Sequence, residues 1–380
     1  MKVMQKVFKD GIPRIEPLQE MAAIDPQLVL VFGSEAVFAA AAFYPTLRDA
    51  FPNAHLAGCT TAGEVAGTQV FDGACVVTAV HLAKTPVRLA SARIANMEQS
   101  QAMGMQVGSA LQAAELRGVM LFCKGLGVNG SAVIQGVAAG VNTTVPVTGG
   151  LAGDGGKFQR TLVLDNHGVS EDGLVGIGFY GEAVRIGYGS FGGWEPFGPA
   201  RRITRCQGNI LFELDGEPAL NLYKAYLGDY AKDLPSSGLL FPFEMLSGDH
   251  SRLGLIRTIL GIDEAVGSLI LAGDIDPQGY LRLMHASTDD LVSGAEIAAE
   301  QTQNMVTGSK AGLALLVSCV GRKLVMGGNV EEEVEVVAET LAPGTVTTGF
   351  YSYGEISPFS KNTDCKLHNQ TMTITFLSEN

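Results

Sequence analysis

Three times along this chain an apolar, β-prone run gives way to a helix-forming stretch and then to a second β-prone run that carries a glycine-rich signature. The first copy runs from "QLVLVFGS" through an alanine-rich stretch at 36–50 to "AHLAGCTTAGE". The second runs from "VMLFCKG" through 131–140 to "VPVTGGLAGDG", and the third from "LALLVSCVGRK" through the acidic "NVEEEVEVVAETL" to "TVTTGFYSYGEIS". Strand, helix and strand in that order favour parallel pairing through a right-handed crossover, so the pattern restricts the chain to an α/β architecture built on βαβ repeats. The signatures align with one another. Gly58 to Glu64 and Gly349 to Glu355 both read G-x-x-x-x-G-E, and Gly149 to Asp154 is a G-x-x-x-G-D that is one residue shorter.

Between the repeats, residues 173–198 and 267–287 mix glycine with β-prone residues and predict antiparallel segments, the second with the D-x-x-G punctuation of a hairpin. A helix is predicted within 216–234, with Pro218 in its first turn. At 380 residues the chain exceeds what one core usually holds. The expectation is therefore mixed sheets plus antiparallel segments in two domains, 1–215 and 216–380, divided where the new helix begins.

Composition excludes several function classes. With 46% hydrophobic and 17% charged residues the chain has ample material for buried cores. A net charge of −13, relieved locally only by "RRITR" at 201–205, repels nucleic acid and anionic membrane surfaces alike. No stretch approaches the ~18 apolar residues of a membrane span, and the opening residues lack a signal-peptide core, so a cytoplasmic protein is expected. Six scattered cysteines without a C-x-x-C pair are expected to be reduced and mostly buried.

At the end of a parallel strand, glycine permits a sharp turn and brings backbone N–H groups close to a ligand. Gly58, Thr60 and Thr61 are thus candidates to cradle something small, with Glu64, Asp154 and Glu355 either accepting from it or capping neighbouring backbone. Cys59 is a loop contact, a small core residue or, with a base and a lowered pKa, a nucleophile. His55 is too far along an extended strand to be assumed its base. Arg257, a lone cation in "LGLIRTILGID", needs an acidic partner, either on a ligand or among the motif acids. Tyr351 and Tyr353 share one face if "YSYGE" stays extended, and can wall a binding site.

Taken together, "GCTTAGEV", "GGLAGDG", "SCVGRK", "GFYSYGEISP" and "LHNQTMTI" resemble the hallmark segments of the FIST family, bacterial sensory modules with paired N-terminal and C-terminal FIST domains, also found in some F-box proteins. The resemblance runs from about residue 28 to the end. It implies small-ligand sensing beside histidine kinases or cyclic-dinucleotide enzymes, and it places His368 and Asn369 near the site. One branch of similar length senses nitric oxide through haem, which here would be non-covalent haem b because no C-x-x-C-H is present. His250, on a glycine-containing loop after the aromatic-rich "LLFPFEML", is the candidate axial ligand, with His368 as a second choice. The alternatives are a haem-free sensor of a polar metabolite such as an amino acid, and an enzyme acting on a small amide or keto substrate through Cys59 or Glu64.

Overall fold

The computed structural model describes residues 1–9, 11–141, 144–358 and 364–380. Its frame is three six-stranded sheets with one strand order. In each, two parallel strands joined by a helical crossover form the centre: Leu28–Gly33 with His55–Thr60, Leu116–Cys123 with Val147–Leu151, and Leu313–Cys319 with Val346–Ser352. A return strand pairs antiparallel with the first of each couple, namely Cys75–His81, Gly173–Tyr180 and Met372–Glu379. An edge strand then closes that side, Lys2–Phe8, Val87–Arg93 or Val184–Phe191. The chain is a threefold repeat.

A hairpin arm fills the other edge of every sheet, and it always comes from a different repeat. The arm Glu64–Ala66/Gln69–Phe71 of the first repeat pairs with Val346–Ser352 of the third. The arm Gly354–Pro358/Cys365–His368 of the third pairs with Val147–Leu151 of the second. The arm Val163–Asp165/Gly168–Ser170 of the second pairs with His55–Thr60 of the first, which closes the ring. No repeat completes its own sheet, so the three fold as one hub.

The signature glycines make the parallel couples possible. A Cβ at Gly58 would stand 1.7 Å from the Val31 carbonyl oxygen, one at Gly149 would stand 2.0 Å from that of Leu121, and one at Gly349 would stand 1.9 Å from that of Leu316. These are equivalent positions in the three repeats, and at each a neighbouring backbone occupies the space of a side chain. Beneath them Phe32, Phe122 and Phe350 meet at the centre of the hub with ring centroids 4.8–6.0 Å apart. Helices cover the outer faces in pairs, Ile15–Ala22 with Phe43–Ala50, Ser100–Leu111 with Gly130–Gly140, and Thr288–Met305 with Glu331–Thr340. None of the described helices is long and apolar enough to cross a membrane.

In the first two repeats the edge strand leads to its helix after a few residues. In the third, the chain between Val184–Phe191 and Thr288–Met305 instead builds a nine-stranded antiparallel sheet from Glu195–Pro196 to Tyr280–His285. The expected division at 215/216 falls inside this insertion. Strand Val184–Phe191 belongs to the third repeat through its pairing with Met372–Glu379, and Arg201–Gln207 and Ile210–Leu214 already belong to the inserted sheet. The helix expected within 216–234 is present as Ala219–Leu227, inside the insertion rather than at its start. The antiparallel segments are also paired otherwise than neighbours in sequence suggest. Gly173–Tyr180 and Val184–Phe191 enter different sheets, and Ser268–Leu271 and Tyr280–His285 are separated by other strands, although the turn at Asp276–Gly279 is formed.

Candidate functional site

The three signature loops converge and hold one another through backbone hydrogen bonds. Gly153 and Gly155 donate to the carbonyls of Thr60 and Thr61 at 2.9 and 3.0 Å. Ala62 donates to Tyr351 and Tyr351 to Gly63, both at 2.8 Å, while Tyr353 donates to Leu151 at 3.3 Å. Their polar side chains, however, turn into the hub. Thr60 accepts from the Leu162 amide, and Thr61 donates to Glu64. The other Glu64 oxygen accepts from the Ala74 amide at 2.9 Å. In the third repeat Ser352 donates to Glu355, whose second oxygen takes the Thr371 amide and hydroxyl at 3.1 and 3.0 Å. Ala74 and Thr371 immediately precede their return strands, so each glutamate fastens its arm to the sheet it came from. Asp154 fastens its own loop, accepting from the amides of Phe158, Gln159 and Arg160 and from the Tyr353 phenol.

Burial raises Glu64 to about 7 and Glu355 to about 8, more than the hydrogen bonds to each offset. At Asp154 the balance reverses. Burial pushes it up, but the Tyr353 phenol and the three amides hold it below the ordinary value. The two glutamates bind protons in the fold that they release on unfolding, where the carboxyl titrates near 4.5. Stability is therefore expected to fall as pH rises from about 4.5 through 8 and to level off above that. Glu355→Gln, which can donate to Ser352 while still accepting from Thr371, should keep the fold and flatten part of this slope. Glu355→Ala should leave the Thr371 amide and hydroxyl unpaired and cost about 2–4 kcal/mol. Urea melts between pH 5 and 9 check both.

What the converged loops leave open is a cleft of about 650 Å³ between hub and insertion. The hub contributes Ala62, Lys157, Phe158, Lys323 and Leu324, and the insertion contributes Leu260 among its apolar wall. Lys323 donates through Nζ to the Ala62 carbonyl at 3.0 Å and to Asp72, and lies 5.5 Å from the centroid of the Tyr351 ring. A smaller chamber of about 200 Å³ adjoins it, lined by Met97, Asn129, Ile270 and Tyr353, with Leu260 bordering both. Phe158 and Tyr353 stand between the two, stacked with ring centroids 4.3 Å apart and planes 14° from parallel.

Other expected site residues are placed elsewhere. Tyr351 is fully buried and donates to Glu333 at 2.6 Å, whereas the Tyr353 hydroxyl donates to Asp154. Arg257 pairs with none of the motif acids. Its guanidinium donates to the carbonyls of Asp274, Ile256 and Leu367, and burial lowers it to about 10 although the charge of Asp274 opposes this. His368 is buried with Nε2 2.8 Å from the Ser357 carbonyl, and Asn369 donates to the carbonyl of His368. Cys59 lies wholly inside the hub, where burial and then the neighbouring Cys123 push its thiol well up, the opposite of an activated nucleophile.

The cleft cations carried little sequence signal. Lys323 sits in the quoted "SCVGRK", and Lys157 and Phe158 follow the shorter signature, but no spacing marks them as converging. The neighbouring Arg322 is fully buried with Glu333. Its Nε and Nη2 donate to Glu333 Oε2 at 3.0 and 2.7 Å, and Nη2 and Nη1 also reach the carbonyls of Leu291 and Gly192. Glu333 in turn accepts from Ser318 at 2.9 Å as well as from Tyr351.

A haem requires an axial side chain on an apolar cavity of its own size. His250 lies on an exposed turn, its ring tilted 31° to that of Tyr280 with centroids 4.0 Å apart. His368 borders a cavity of only about 220 Å³, and the 650 Å³ cleft has no His, Cys, Met or Tyr on its wall. Neither His250 nor His368 borders that cleft.

The sequence profile of the FIST N domain matches residues 27–217, and that of the FIST C domain matches residues 219–358. An uncharacterized protein of Methanocaldococcus jannaschii is 32% identical over 93 residues, which are 24% of this chain and 18% of that relative. The chain thus spans less than a fifth of that relative's length. Among solved structures, cyanuric acid hydrolase from A. caulinodans is similar over the full length of both chains at 8% identity and a TM-score of 0.39, too slight a likeness to transfer anything.

Proposed function

Because the chain belongs to the FIST family, whose domains are associated with sensing small ligands in signal transduction, we propose that it is a sensor module that binds a small molecule in the cleft between hub and insertion. Occupancy is relayed to a partner histidine kinase or cyclic-dinucleotide enzyme. The observation that carries this reading is the position of the cleft. It opens where signature loops from all three repeats are hydrogen-bonded together, and its opposite wall is the one element that two of the repeats lack. A ligand there touches both parts and can change how they sit.

Binding without turnover is supported by the chemistry of the two residues that an enzyme would use. Cys59 is sealed in the hub with a raised pKa, and both oxygens of Glu64 are committed to Thr61 and Ala74. Native mass spectrometry of the purified full chain tests the reading. One co-purified small molecule is expected on the wild type, and it should be absent from a folded Lys323→Glu/Leu260→Trp variant that reverses the charge of the cleft and fills it. A molecule retained equally by that variant would place the ligand elsewhere.

A further inference from the structure

We infer that the ligand is an amphipathic organic anion, with its acid group at Lys157 and Lys323 and its apolar body running past Leu260 toward the second chamber. The inference rests on the cleft being the ligand site and specifies the chemistry that the cleft selects. In a chain of net charge −13, two lysines stand on one wall of the larger chamber. Lys157 forms no ion pair among the described residues, and Asp72, which shares Lys323, is 75% exposed and can yield to a ligand carboxylate or similar acid. Oppositely charged groups are recognised most strongly where one side is already held, and Lys323 is anchored by the Ala62 carbonyl.

The rest of the cleft is apolar in a way that the remaining surface is not obliged to be. Phe158 and Leu324 on the hub and Leu260 on the insertion face the larger chamber, while Met97 and Ile270 face the smaller. All five are between 37% and 51% exposed, large apolar side chains left open to solvent around two adjoining chambers. Such a concentration marks a surface that something apolar covers. The flat Phe158–Tyr353 stack offers a face on which a chain or ring can lie, and Leu260, common to both chambers, sets the path between them. A short polar acid would satisfy the lysines and leave this wall wet.

The test is a titration of the full chain with acetate, hexanoate and decanoate below micellar concentrations, alongside decylamine and decanol, with hydrogen exchange at Gly155–Phe158 reporting the site. Affinity should rise along the carboxylates by up to about fourfold per buried methylene. Decylamine should not bind, and decanol should bind more weakly than decanoate. Lys323→Met, which keeps the stem, should weaken decanoate by roughly tenfold. Leu260→Ser should flatten the dependence on length. Thermal melting of both variants separates lost binding from lost folding. If acetate binds as well as decanoate, or decylamine as well as either, with Gly155–Phe158 protected, the amphipathic anion is wrong and the cleft stands as the site. If the carboxylates bind but leave Gly155–Phe158 unprotected, both are wrong. If no carboxylate binds, the inference is overturned, and the native mass spectrum decides separately whether the cleft is occupied.

Discussion

Replacing Arg322 by methionine is expected to cost about 3–5 kcal/mol of stability, read as a lowered urea midpoint, because it strands the fully buried Glu333 without its countercharge. The guanidinium also joins four parts of the third repeat, meeting Gly192 at the exit of the edge strand, Leu291 and Glu333 on the paired helices, and through Glu333 the strand end at Ser318. Removing both charges should be milder than removing one. Arg322→Met/Glu333→Leu is expected to melt above Arg322→Met alone, since the unpaired carboxylate disappears and the hydroxyls of Ser318 and Tyr351 remain as the residual cost. If Arg322→Met melts with the wild type, the buried pair does not hold the repeat together.

Gly58→Ala, Gly149→Ala and Gly349→Ala should each destabilise the fold by more than about 3 kcal/mol, at or beyond the upper end for overpacked cores. The obstruction is backbone rather than a side chain that can turn away, at 1.7, 2.0 and 1.9 Å from the added carbon. Gly328→Ala, where nothing lies within 4 Å of the added carbon, is the control and should stay within about 0.5 kcal/mol of the wild type. A large effect at only one of the three signature glycines would mean that the repeats are not equivalent. Far-UV circular dichroism with denaturant melts of the four variants settles the comparison.

The parallel couples were legible in the sequence because their cause is local. An apolar run, a helix-forming stretch and a second run ending in glycines are all within about fifty residues, and the three couples and their crossovers stand where that pattern puts them. Convergence of the signature loops was legible for the same reason, since equivalent strand ends of equivalent repeats must come to equivalent places. The exchange of arms was not. Whether Glu64–Ala66 joins its own repeat or adds to Val346–Ser352 depends on a partner almost three hundred residues away, and the alternation of its side chains is the same in either case. The insertion was not legible either, because Val184–Phe191 is followed directly by strands of another sheet while its own sheet resumes near the C-terminus.

At the site, the signature side chains were conspicuous because they are polar among apolar neighbours, and most of them turn out to be spent on the hub. Thr61, Glu64, Ser352 and Glu355 repeat one hydrogen-bonded lock in two places, which is a structural reason for the shared G-x-x-x-x-G-E spacing. Lys157, Lys323 and Leu260, which line the open space, look in sequence like ordinary surface residues of a loop, a helix and a strand. Their meaning comes from the insertion lying across the hub. Arg257 was conspicuous for its isolation, and the structure meets its charge chiefly with carbonyl oxygens, none of which a sequence pattern marks.

Ligand recognition in the space between hub and insertion is tested most directly by a crystal structure of the full chain with decanoate. The predicted result is a carboxylate within about 3 Å of Lys323 Nζ, with the alkyl chain against Phe158 and Leu260 and directed toward Tyr353. Decanoate ordered at some other surface, with the cleft holding only water, would contradict it.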